Sequence, residues 1–402
     1  MVSAAALDLH VIANTALGPG LSGGDRIFIE LARRWARRLR TLTLYVWEEG
    51  YEMCRRNGLA GVRYQLWPAA PYRCLGFAGL YLARTIKGCV AACRLRLSEP
   101  ERAIIYAASD YWPDALPALL LKHRYPKACL IAAYYMAAPH PLKGFRGHHQ
   151  LGYRLPRLKE LLYYLTQLPI YRLIKRYADF VFVTNELDRR YFLSPRLGQE
   201  RVITVRGGVD IRLPDQVPDQ PQRYDAVFIG RLHPQKGVLE LIDIWRLVCA
   251  RRPGARLAII GDGPLEGAVK SRVRASGLEA SIDMLGFLDG PEKVRVFKAS
   301  KLVVHPAVYD SGGMAACEAM ACGLPGVSFD LPELRTYYPR GMLKVPIGDL
   351  DAFAKQILQL LEDRGLYERT SRAARDLALQ EWSWDTRASE ILDVLLQVLP
   401  VT

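Results

Sequence analysis

The chain has 402 residues, half of them hydrophobic and 24% charged, which is ordinary globular usage and excludes a mostly disordered chain, a collagen and a coiled coil. That length predicts two domains, each large enough for its own core, and no apolar run reaches the ~18 residues of a membrane-spanning helix. The net charge of +14 sits wholly in the first half: residues 1–200 hold 29 Lys+Arg against 15 Asp+Glu, and residues 201–402 hold 26 of each. Such an asymmetry predicts that one domain faces an anionic surface, with lipid head groups, nucleic acid and anionic substrates all candidates.

The N-terminal stretch MVSAAALDLHVIANT has no basic leader and reads as a first buried strand rather than a signal peptide. A loop with Gly18, Gly20, Gly23 and Gly24 follows, and Ile27, Leu31 and Trp35 then predict a helix over 25–40. TLTLYVW, AIIYAA (103–108), CLIAAYYM (129–136) and DFVFVT (179–184) are further strand candidates separated by helical patterns, which implies a parallel α/β sheet. Residues 206–222, rich in Pro, Gly and Asp, read as a linker. A second series then opens with YDAVFIG and continues through LAIIG (257–261), IDMLGF (282–287), LVVHP (302–306) and KVPI. The expected organisation is α/β, with two Rossmann-like doubly wound domains (1–205 and 223–380) facing across a cleft, and a final helix over 381–402 returning to the first domain. The eight cysteines form no C-x-x-C pair, a reducing-compartment pattern without a disulfide or zinc framework.

The chemistry-bearing residues concentrate in the second half. In HPAVYDSGGMAACEAMACGLPG (305–326) a strand ends, and the pair Gly312-Gly313 allows close backbone approach. A helix from about Met314 to Cys322 then offers free N–H groups and a positive dipole to an anion. Asp310 and Glu318 flank that helix start, either as ligand contacts or merely as a cap and a solvated side chain. In VFIGRLHPQKG (227–237), Arg231 and Lys236 follow a strand and Gly230, and two cations so placed suit a diphosphate. The bland alternative is a pair of solvated loop cations.

Together these stretches resemble the retaining, GT-B-fold glycosyltransferases of family 4 (glycosyl transferases group 1). That family carries G-R-x(4)-K-G, then E-x(7)-E running into E-A-M-A-x-G-x-P. The matching residues are Gly230-Arg231 with Lys236-Gly237, Asp310 with Glu318, and Glu318-Ala-Met-Ala-Cys-Gly-Leu-Pro325. The resemblance is dense from about 200 to 385 and thin before that. It implies transfer of a hexose from a UDP- or GDP-sugar to an acceptor, with retained anomeric configuration and no metal. Arg231 and Lys236 would hold the diphosphate and offset charge on the leaving phosphate. Glu318 would accept from the ribose hydroxyls, and Asp310 would touch the hexose. Gly312, Gly313 and Met314 would present N–H groups, with Gly263, Phe287 and Leu288 beside the nucleotide and Gly23 and Gly24 along the donor. Two departures stand out. Asp310 replaces the usual Glu and is one methylene shorter. The family's sugar-facing His has Met136 in its place: either His140, four residues on, substitutes, or the site works without it and His140 is a loop residue.

Other patterns compete. Gly18-x-Gly20-x-x-Gly23, with Glu48 and Glu49 ending the next strand, fits a dinucleotide fingerprint and an NAD-dependent oxidoreductase, although Pro19 suits that tight turn poorly. A catalytically inactive GT-B-fold interaction protein is a third reading. Asp349-Leu-Asp351 fits the D-x-D of metal-dependent enzymes, but helix capping explains it better. Residues 143–176 hold eight Lys+Arg and one acid among aromatics and leucines. That composition suits either an anionic membrane surface beside a glycan or lipid-linked acceptor or a core-packing helix with a basic outer face. The stretch over 72–97 is similar. No nucleic-acid motif is present, and no nucleic-acid partner is expected. The cysteine pattern predicts a cytoplasmic setting, with a peripheral place on the cytoplasmic membrane face if the basic stretch meets lipid.

Overall fold

In a computed structural model of the protein, residues 3–16, 21–68, 72, 76–142 and 158–399 are described, the side chains at 77 and 158–160 excepted. They fall into two compact units. One takes in residues up to Pro141, 158–207 and those from Trp384 on; the other is Gly208–Ser383. No described helix is long and apolar enough to cross a membrane.

The first unit carries strands β1 (Asp8–Ile12), β2 (Thr41–Trp47), β3 (Arg63–Trp67), β4 (Ala103–Ala107), β5 (Cys129–Ala133), β6 (Phe180–Val183) and β7 (Val202–Thr204). They form one parallel sheet in the order β3-β2-β1-β4-β5-β6-β7. Every residue of β4, β5 and β6 is buried, as expected of parallel strands covered on both faces. Strand β3 shows no such run: RYQLW is an edge with exposed Arg63, Gln65 and Leu66, and periodicity alone did not reveal it.

Two expected boundaries move, each for a local reason. The first helix spans Gly23–Trp35, not 25–40. Ser22 Oγ accepts from the Asp25 N–H (3.2 Å) while Asp25 Oδ2 accepts from the Ser22 N–H (3.2 Å), a capping box that starts the helix early. The strand expected over 129–136 stops at Ala133. The Tyr134 N–H still donates to the Phe182 carbonyl (2.8 Å), but side chains take over after it: Thr184 Oγ1 donates to the Tyr135 carbonyl (2.8 Å), Gln167 Nε2 to the Met136 carbonyl (2.9 Å), and Gln167 Oε1 accepts from the Ala138 N–H (2.6 Å). The last helix, Trp384–Val398, packs on Gly23–Trp35 within this unit, and Trp35 Nε1 donates to the Ala388 carbonyl (2.8 Å). Gly18, Gly20 and the basic residues 143–157 lie outside the described residues.

The second unit carries β8 (Tyr224–Ile229), β9 (Leu257–Ile260), β10 (Ile282–Gly286), β11 (Ser300–His305), β12 (Gly326–Phe329) and β13 (Met342–Val345), parallel in the order β10-β9-β8-β11-β12-β13. Strand alternation divides the core. Phe228, Ile259, Leu302 and Val304 face Trp245 and Phe353 on one side. Val227, Ala258 and Val303 face Met320, Tyr337, Tyr338 and Trp382 on the other. Val209, before the short helix Leu213–Gln216, donates its N–H to the Trp382 carbonyl (2.8 Å), so this segment of the expected linker is fastened to the second unit.

Candidate functional site

Strands β8 and β11 are neighbours, while the chain leaves β8 for β9 on the opposite side. Their carboxyl ends therefore flank a topological switch point, where open α/β sheets bind ligands. The loop after β8 runs Gly230 to Gly237, and the loop after β11 runs Pro306 to Gly313. Residues 74 apart in sequence meet here: Lys236 Nζ lies 2.5 Å from Asp310 Oδ2.

Gly237 makes that approach feasible. Its φ is +63°, and an added Cβ would stand 1.8 Å from the Pro306 carbonyl oxygen. Only glycine lets the two loops lie in contact. Gly313 plays a similar part on the other side, since a Cβ there would meet the Tyr338 hydroxyl at 2.2 Å. The glycine pair predicted to admit a ligand thus also closes on two buried tyrosines, Tyr337 and Tyr338.

Asp310 is almost wholly buried. Its Oδ2 is also 3.2 Å from His305 Nε2, and its Oδ1 accepts from the Gly312 N–H (3.3 Å). Burial by itself would raise the carboxyl's pKa. The Lys236 ammonium and His305 more than reverse this and hold it well below the usual carboxylate range. Burial pushes the His305 imidazole down, against the pull of Asp310. The Lys344 ammonium, over the Tyr338 ring and 3.1 Å from Ser328 Oγ, is lowered to about 8, chiefly by desolvation.

Arg231 is exposed, and its guanidinium has no ion-pair or hydrogen-bond partner among the described residues. Gly230 donates to the Ile260 carbonyl (3.0 Å), and Leu232, beside Gly263, donates to the Asp262 carbonyl (2.7 Å), which knits the loops after β8 and β9. Phe287 is 57% exposed just past β10, and Leu288 is half-buried beside it. The helix Met314–Ala321 begins at Gly313 without a side-chain cap, and the Met314 N–H is turned back to the Gly312 carbonyl (2.9 Å). Glu318, on that helix, places Oε2 2.9 Å from the buried Lys293 Nζ.

The remaining site residues belong to the first unit. Gly23 opens its helix, and a Cβ on Gly24 would be 3.1 Å from the Tyr135 ring. His140 is exposed beyond β5, its ring 6.0 Å from that of Tyr164. Asp349 Oδ1 accepts from the Ala352 N–H (2.9 Å), so the D-x-D match is a helix cap. Sequence reasoning missed two participants. His305 was legible only as a strand end, and Lys293 sits in an ordinary charged helix, PEKVRVFK, with no motif to mark it.

Residues 211–377 match the family described as glycosyl transferases group 1. The chain is 32% identical over 221 residues to the phosphatidyl-myo-inositol mannosyltransferase of Mycobacterium leprae, covering 52% of this chain and 57% of that one. It is 30% identical over 171 residues to an uncharacterized glycosyltransferase of Methanocaldococcus jannaschii, covering 42% and 43% respectively. The chain spans about half the length of the curated relatives it matches. In fold it is similar to Anabaena HepE, solved in complex with UDP-glucose, with a TM-score of 0.70 at 16% identity over 98% of this chain and 100% of that one. The chain therefore has the GT-B fold of two parallel-sheet Rossmann-like units, and most of the second is similar to the group 1 glycosyl transferases over residues 211–377.

Proposed function

We propose that this protein transfers a hexose from a nucleotide-diphosphate sugar, UDP- or GDP-linked, to an acceptor with retention of anomeric configuration and without a metal. The observation that carries this is the cationic loop at the β8/β11 switch point, in a domain that matches the group 1 family. Arg231, exposed and unpaired among the described residues, is free to take diphosphate oxygens in a forked arrangement. Lys236 supplies a second positive charge beside it. Both offset charge that grows on the leaving phosphate, which favours the transition state over the ground state. Asp310 holds Lys236 in place through one oxygen, and its remaining acceptor positions are those that would touch the hexose. Glu318 takes the ribose hydroxyls, and Phe287 lies beside the base. That HepE is solved with UDP-glucose, and that a similar Corynebacterium glutamicum protein is named GDP-mannose-dependent, supports both donor types as candidates.

The test is calorimetric titration with UDP, GDP, ADP and NAD, without added metal. One nucleoside diphosphate is expected to bind, and Arg231→Ala to weaken it at least about tenfold, the loss of a charge-assisted contact. Binding of NAD alone would move the chemistry to the Gly18–Gly23 loop.

A membrane-bound acceptor is the second part of the proposal, with the protein peripheral on the cytoplasmic membrane face. Leu82, Ile86 and Val90 are exposed along the helix Gly76–Arg94. Leu162, Leu165 and Leu168 are exposed along Leu158–Tyr177, with exposed Arg172 and Arg176 continuing that side. Both helices pack on Trp112–Arg124. Exposed leucines next to arginines fit an anionic lipid surface. Binding to vesicles rich in phosphatidylglycerol is expected, weakening as salt rises and falling several-fold in Ile86→Asp/Leu165→Asp. No binding at low salt, or binding unchanged in that variant, rejects the surface.

A further inference from the structure

Lys293 lies in the helix Gly290–Lys298, yet its side chain is only 7% exposed. Its ammonium sits between two carboxylates, 2.9 Å from Glu318 Oε2 and 2.8 Å from Asp289 Oδ1. An ammonium is withdrawn from water only where paired, hydrogen-bonded groups replace that water. The two partners come from different segments. Asp289 ends the loop that carries Phe287 and Leu288 past β10, while Glu318 projects from the helix that follows β11. One buried cation thus joins the segment assigned above to the base and the residue assigned to the ribose.

We infer that Lys293 is a positioning residue for nucleoside recognition: it holds the Glu318 carboxylate as an oriented acceptor for the ribose diol and fixes the Phe287 loop in register with it. This rests on the assignment of Glu318 under the proposed function. A carboxylate has about four acceptor positions, so pairing with one ammonium is compatible with two ribose hydroxyls. Those hydroxyls donate, and a charged acceptor binds them more strongly than a neutral one. Without Lys293 the carboxylate loses the contact that orients it toward those hydroxyls. Lys293 therefore acts through Glu318 and not by touching the ligand.

The experiment compares wild type, Lys293→Met, Lys293→Arg and Glu318→Gln. Affinity is measured by calorimetry for whichever of UDP, GDP and ADP binds the wild type, and for its 2′,3′-dideoxy counterpart. Lys293→Met is expected to lose roughly tenfold more affinity for the ribose form than for the dideoxy form, the smaller shared loss reporting the Phe287 loop, and Lys293→Arg to restore the ribose preference. If Lys293→Met does not fold, Lys293→Gln, which keeps a donor but drops the charge, is measured with the same expectation. Equal loss on both nucleotides, or no loss on either, overturns the inference. If Glu318→Gln still abolishes the ribose preference in that case, the Glu318 assignment survives it. A wild type that does not distinguish ribose from dideoxyribose, or binds none of the three, overturns both.

Discussion

Lys236→Met is expected to lower turnover of the donor by about 100-fold or more, the scale of removing a preorganised charge that meets a developing anion. It is also expected to destabilise the protein by roughly 3 kcal/mol, because Asp310 is then a buried carboxylate without its counter-charge. The two losses are separable. In Lys236→Met/Asp310→Asn the stranded charge is gone, so most of the stability should return while turnover stays low. Turnover is read as nucleoside diphosphate release, and stability from thermal melts. A double variant that regains activity would show that Lys236 acts only as a structural partner. The pair also sets a pH signature. The Asp310 pKa is depressed in the folded protein, so its contribution is complete above the ordinary carboxylate value and is lost as pH falls toward the folded one. In Lys236→Met burial holds that carboxyl's pKa above the wild-type one, so the stability gap between the two should narrow as pH falls through the acidic range. A gap that stays constant down to pH 3 would remove the ion pair from the account.

Gly237→Ala is expected to cost about 3 kcal/mol or more, and to reduce donor binding in whatever fraction still folds. Two terms act together: the backbone is left-handed at φ +63°, and the new methyl would overlap a carbonyl oxygen of Pro306 rather than a side chain able to swing aside. The strain falls on the contact that brings Lys236 to Asp310, so stability and binding should fall in step. Gly267→Ala is the control. That glycine lies inside the helix Glu266–Ala275 with nothing near its would-be Cβ, so alanine there should be neutral or slightly stabilising. Equal melting temperatures for the two variants would mean that the loops separate more readily than their packing implies.

Most of the second unit is legible in its amino-acid sequence. Its core strands are short apolar runs bounded by turn residues, and YDAVFIG, LAIIG and LVVHP each became a strand. What escaped was the weakly patterned material. Strand β12 is only the four residues GVSF, beginning directly after Pro325, and the edge strand β3 lacks an apolar face. The strand expected through Met136 failed for a different reason: its apolar pattern continues, but Gln167, 31 residues on from Met136, takes the backbone hydrogen bonds that a ladder would have used.

The amino-acid order alone specified the α/β class, the two-part organisation and the residues gathered around Gly230–Gly237 and Asp310–Glu318, because apolar periodicity, glycine placement and charge act over a few residues. Pairing lay beyond it. That Lys236 turns inward to Asp310, that His305 backs the same carboxylate, and that the Lys293 ammonium bridges Asp289 and Glu318 all depend on which strands are neighbours. Placing β11 beside β8 is a long-range event in the chain, driven by burial of both sheet faces at once. Non-directional burial sets that arrangement, and the directional contacts of the site then follow from where it leaves each side chain.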